Sequence, residues 1–106
     1  MTTGKINSID FVNDCVYSTN LTDFQFAKRG KVRDIYEVGD EHLLLVATDR
    51  LSAFDVVMVQ PIPNKGKILT SIANFWFKKT STIVKNHISD INIRDLFSSD
   101  EVYKKL

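Results

Sequence analysis

The residues with the clearest chemical potential sit in Lys28-Arg29-Gly30-Lys31-Val32-Arg33-Asp34, where four cations surround one glycine. A glycine lets backbone N–H groups approach a ligand closely, and a cationic fringe neutralises phosphate oxygens, so the pattern suits a phosphate-cradling turn. It equally suits a solvated hairpin whose charges keep an edge strand from aggregating. Neither G-x-x-x-x-G-K-[ST] nor G-x-G-x-x-G is present. A second constellation, Thr48-Asp49-Arg50-Leu51-Ser52-Ala53-Phe54-Asp55, lies between two apolar runs. Its carboxylates, guanidinium and hydroxyl must be satisfied by a ligand, by the backbone or by one another. The structural alternative is a tight arch in which Asp49 and Ser52 cap N–H groups and Arg50 pairs with Asp55. Ser52 is a poor nucleophile candidate, since neither His42 nor His87 belongs to a triad or elbow motif. A third, Pro61-Ile62-Pro63-Asn64-Lys65-Gly66-Lys67, approaches a helix start. Free N–H groups and Lys65 would attract an anion there, or Asn64 and Gly66 simply begin the helix.

The elements that must hold these residues are an α+β set. The first twenty residues show no clean period and are read as an irregular leader. Residues 21–60 read as strands. Phe24, Phe26, then Val32, Tyr36 and Val38 alternate with polar residues, as in strands with one wet face. Gly39-Asp40-Glu41 is turn chemistry, and Leu43 to Ala47 is continuously apolar, the mark of a strand buried on both faces. Val56-Val57-Met58-Val59 forms another apolar run ending at the prolines. The period then becomes helical over about 66–85, with Leu69, Ile72, Ala73, Trp76, Thr80, Ile83 and Val84 on one stripe. The expected architecture is a mostly antiparallel sheet backed by one long helix, with Phe75-Trp76-Phe77 as core. Residues 86–106 carry a weak signal, and Asp100 to Leu106 begin like a helix that ends uncapped, as if truncated.

Composition narrows the classes further. The 106 residues, 43% apolar and 25% charged, suit one globular domain. A net charge of +1 gives no general grip on nucleic acid or an anionic membrane. One cysteine, Cys15, excludes an internal disulfide, and with two histidines makes no zinc pattern. Cys15 has no electropositive neighbour and reads as inert. No apolar run is long enough for a membrane span, and the N-terminus lacks the order of a signal peptide. The expectation is a cytoplasmic protein.

Taken together, RGKVRDIYEV, LLLVATDRLSAFDVVM and IPNKGKILTSIANFWF resemble, in order and spacing, the amino-terminal lobe of the phosphoribosylaminoimidazole-succinocarboxamide synthase family, the SAICAR synthetases of purine biosynthesis. The likeness is strongest from Phe24 to Lys79. It implies an ATP-dependent ligase that, with Mg2+, joins L-aspartate to carboxyaminoimidazole ribonucleotide (CAIR), releasing ADP and phosphate. By that resemblance Gly30, Lys31, Val32 and Arg33 would lie over the ATP phosphates, with Ile35, Leu44 and Val46 against the adenine. Asp49 and Asp55 would act in catalysis, and Arg50, Ser52, Lys65 and Gly66 would bind substrate. Family members continue into an Arg…Gly-Ser stretch for the substrate phosphate and an Asp-x-Lys-(apolar)-Glu-Phe-Gly stretch for metal, neither of which occurs here. The resemblance therefore implies a single nucleotide-binding lobe over 1–106, without metal ligands, inactive alone and prone to self-association. A stand-alone nucleotide- or anion-binding module without catalysis is the alternative.

Overall fold

A computed structural model describes residues 7–97 of the chain. The expected leader is instead a hairpin, β1 (Ser8–Val12) and β2 (Cys15–Asn20), paired from Ser8 with Asn20 to Val12 with Cys15. Two features hide it from a period-two reading. The register shifts between Asp10 and Phe11, which breaks the alternation, and the turn is made by Asn13 and Asp14, both left-handed at φ 50° and 64°. Such two-residue turns match strand twist, and Asn and Asp tolerate that conformation better than most side chains.

A three-stranded antiparallel sheet follows, in the order β3 (Gln25–Arg29), β4 (Arg33–Val38), β5 (His42–Ala47). A bulge between Phe26 and Lys28 bends β3, whereas β4 and β5 pair without interruption from Arg33 with Ala47 to Val38 with His42. Residues opposite each other share a face. Asp34, Tyr36, Leu44 and Val46 therefore project to one side, and Ile35, Leu43, Leu45 and Ala47 to the other. The first side carries the core, where Tyr36, Leu44 and Val46 pack with Leu21 and Phe97, flanked by Phe24 and Val38. Phe24 meets the Phe97 ring edge-on at 5.3 Å.

The second side departs from expectation. Leu43 is 62% exposed, so β5 is closely packed on one face only, because α1 and residues 87–96 stand off the other across an open cavity. The run Val56 to Val59 contributes only a two-residue strand. β6 (Ser52–Ala53) and β7 (Val56–Val57) form a minimal hairpin whose turn residues Phe54 and Asp55 are both left-handed.

The helix α1 runs Lys65–Lys79 and stops short of the expected 85. The hydroxyl-bearing residues that follow end it. Thr80 donates both its N–H and its hydroxyl to the Trp76 carbonyl, at 2.9 and 2.7 Å, and Ser81 Oγ donates to Lys78 O at 2.8 Å. Side chains that compete for the last carbonyls disfavour further helical turns. Ile83 and Val84 thus fall outside the helix. At its other end Gly66 is buried so close to β5 that a Cβ would collide with the Ala47 carbonyl oxygen. The helix touches the sheet chiefly there. Leu69, Ile72 and Trp76 remain about half exposed, so Trp76 is not the core residue its position on the stripe suggests. A short 3-10 turn, Ile93–Leu96, delivers Phe97 to the core, while the helix-like stretch Asp100 to Leu106 lies outside the described residues.

Candidate functional site

The hub beneath the cationic loop is Asp34, fully buried on β4. Its Oδ2 accepts from the N–H and hydroxyl of Thr19, each at 2.8 Å, and its Oδ1 accepts from Arg29 Nε and Arg50 Nη2, each at 3.0 Å. Burial pushes this carboxyl up, but the hydrogen bonds from Arg50 and Thr19 and the Arg50 charge outweigh it and hold it below the ordinary carboxylate value. Thr19 also shares a hydrogen bond with the Tyr36 hydroxyl, which accepts from Leu21 N–H. No buried side-chain nitrogen or oxygen among the described residues is left without a partner. The sequence carries a signal for Asp34 in this role: the alternation Val32, Tyr36, Val38 sets residue 34 on the same, core-facing side.

The Thr48–Asp55 segment follows the arch reading for its first half and not for its second. Asp49 is buried, and its two carboxylate oxygens accept from Val16 N–H at 3.0 Å and Gly66 N–H at 2.9 Å. It thereby ties β2 to the start of α1 and supplies a remote cap where Asn64 offers none. Arg50, 3% exposed, pairs with Asp34 rather than with Asp55. Asp55 stands exposed at the β6–β7 turn and meets the exposed Lys31 ammonium. Ser52 sits in β6 opposite Val57. Asp49 and Arg50, expected at a ligand, are thus enclosed by the fold, while Lys31 and Asp55 are brought together at the surface.

The loop itself spans Gly30 to Val32 between β3 and β4, closed by Gly30 N–H donating to Arg33 O at 2.7 Å. Its Lys31 is exposed and Val32 is half-buried. The three residues expected to wall an adenine are divided: Leu44 and Val46 lie in the core, and Ile35 faces the opposite side with Leu45. Arg33 and Lys65 border a cavity of about 810 Å³ between β5, α1 and residues 87–96, with Leu45, Leu69, Ala73 and Phe77 in its walls. The Gly66 N–H expected to be open to an anion is already used by Asp49. Cys15 is buried, and burial, then the charges of Asp49 and Asp14, push its thiol up, away from the reactive thiolate. Among the described residues no group of three or more His, Cys, Asp or Glu is arranged to hold a metal ion. No described helix is long and apolar enough to cross a membrane.

Among the described residues the antiparallel sheet and the helix define an α+β architecture in outline, and comparison with known proteins specifies it. A family model described as SAICAR synthetase matches residues 26–105. Phosphoribosylaminoimidazole-succinocarboxamide synthase of Nitrosomonas europaea is 51% identical over 86 residues, covering 81% of this chain and 29% of the relative. The protein of the same name from Desulfosudis oleivorans is 57% identical over 83 residues, covering 76% and 28%. A solved structure of the Saccharomyces cerevisiae SAICAR synthase complexed with SAICAR superimposes with a TM-score of 0.71 at 48% identity, covering 77% of this chain and 30% of that one. The chain belongs to the SAICAR synthetase family, and it spans about 30% of the length of the relatives it matches.

Proposed function

We propose that this chain carries the ATP-phosphate loop of a SAICAR synthase, the purine-biosynthetic ligase that joins L-aspartate to CAIR. The observation that supports this most is the Gly30–Val32 turn, with Lys31 exposed on it and its backbone anchored from below by buried side chains. In the proposed course the γ-phosphoryl group passes to a CAIR carboxylate oxygen as its bond to ADP breaks. The aspartate amine then attacks the acyl carbon, a C–N bond forms, the C–O bond to phosphate breaks, and the amine gives up a proton. Such chemistry needs positioning and charge neutralisation rather than a protein nucleophile. Lys31 would meet the phosphates. The outward residues Ile35 and Leu45, rather than Leu44 and Val46, would meet the base. Of the two carboxylates assigned to catalysis, only Asp55 is exposed enough to reach a substrate, with Ser52 on the same hairpin, while Asp49 acts through the fold.

A chimaera tests this directly. This chain, substituted for the matching segment of the Nitrosomonas europaea enzyme, should give ADP release that depends on both CAIR and aspartate, and Lys31→Ala should weaken ATP use by about tenfold or more. The isolated chain should bind ADP without turnover. A folded chimaera that releases no ADP in response to aspartate would defeat the proposal, and ADP binding that persists in that case would leave a binding module without catalysis.

A further inference from the structure

A turn can offer its N–H groups to an anion only when its carbonyl oxygens are directed elsewhere and occupied. Here the first three carbonyls of the turn are all held from the protein side. Gly30 O accepts from Arg50 Nη2 and Lys31 O from Arg50 Nε, each at 3.0 Å. Val32 O accepts from Thr48 N–H at 3.0 Å and from the Thr48 hydroxyl at 2.7 Å. The N–H groups of Lys31 and Val32, by contrast, have no acceptor among the described residues.

We propose that Arg50 is a positioning residue that holds this loop with its carbonyls inward and its N–H groups outward, and that it does so without touching ligand. The inference rests on the nucleotide reading above and reassigns Arg50 within it. The side chain suits the task. A guanidinium presents five donors in a fixed planar fork. Nε reaches Lys31 O, Nη2 reaches both Gly30 O and Asp34 Oδ1, and Nη1 reaches Tyr17 O at 2.6 Å. One side chain thus fixes the loop to β2 and β4 together. A lysine, with three donors on a single nitrogen, cannot span acceptors so distributed. Direct service to a phosphate is disfavoured because Arg50 is 3% exposed and would have to abandon buried carbonyls to provide it.

The test uses the chain as it is, titrated separately with ADP and with adenosine while the backbone amides and the Arg50 Nε–H are followed by NMR. In the wild type, ADP should shift the Lys31 and Val32 amides while the Arg50 Nε–H keeps its position and its protection from exchange. In Arg50→Lys, folded by circular dichroism, ADP affinity should fall about tenfold or more, a loss on the scale of one or two charge-assisted hydrogen bonds, with adenosine affinity within twofold of wild type. That phosphate-selective loss is something a merely structural role would not produce. A folded Arg50→Lys protein that binds ADP as wild type does, or that loses ADP and adenosine equally, overturns the inference and leaves the nucleotide reading intact. If Arg50→Lys does not fold, the wild-type spectrum decides: an Arg50 Nε–H that moves with ADP means direct contact and overturns it. Wild-type protein that binds neither ligand removes the nucleotide reading and this inference with it.

Discussion

Replacing Asp34 by Asn removes one charge and no volume, yet it should disable the fold. The wild-type carboxylate faces donors only: two from Thr19, one from Arg29 and one from Arg50. An amide would turn its NH2 toward one of these donor pairs and leave the buried Arg50 without its counter-charge. Removing one partner of a buried ion pair costs about 3–5 kcal/mol, against a total stability of about 5–15 kcal/mol for a typical domain. With few apolar residues buried among the described ones, the lower end of that range applies here. Urea unfolding followed by far-UV circular dichroism is the appropriate assay, since Trp76 is half exposed and reports burial poorly. With an m-value of about 1–2 kcal/mol/M the midpoint should fall by about 1.5 M or more, to the point of unfolding in buffer. The pH dependence has a definite sign. The folded carboxyl lies below its unfolded value of about 3.9, so its contribution is complete above that pH and is lost as pH falls through the folded value. Any residual folded Asp34→Asn protein should lack that acid limb. A midpoint within about 0.5 M of wild type would refute the hub assignment.

Gly66→Ala should destabilise the chain despite the better helix propensity of alanine, worth about 1 kcal/mol, because the new Cβ meets a β5 backbone carbonyl and such overpacking costs about 1–3 kcal/mol or more; a raised melting temperature would contradict this. Asp55→Asn should leave thermal stability nearly unchanged, since an exposed ion pair contributes about 0–1 kcal/mol, while turnover of the chimaera falls by a large factor; unfolding would instead make Asp55 structural. The chain should self-associate through the uncovered faces of β5 and α1, and sedimentation should show Ile72→Glu shifting it toward monomer; a wild-type monomer at high concentration would oppose this.

The sheet was legible because alternation in Val32 to Val38 and turn residues at Gly39 to Glu41 are local signals. The first hairpin was not, since its bulge and its non-glycine turn erase the periodicity that would reveal it. Helical spacing identified α1 but not its end, which depends on hydroxyl groups competing for particular carbonyls. Spacing also said that Trp76 shares an apolar stripe, not whether anything covers the stripe. At the site, charge density singled out the loop, while the division of labour between Asp49 and Asp55 required tertiary partners: two N–H groups far along the chain for one, an exposed lysine for the other.

The bonds made by Asp34, Asp49 and Arg50 also bear on the order in which this chain can fold. They join Val16 to Asp49, Tyr17 to Arg50, Thr19 to Asp34 and Asp49 to Gly66, so each closes a loop of many residues before its enthalpy is gained. During synthesis the first hairpin must therefore wait, its Val16 N–H and Tyr17 carbonyl unpartnered, until the segment carrying Asp49 and Arg50 has emerged. A topology of this kind folds more slowly than a helical chain of equal length, and it concentrates the barrier in bringing the strand ends together rather than in forming α1.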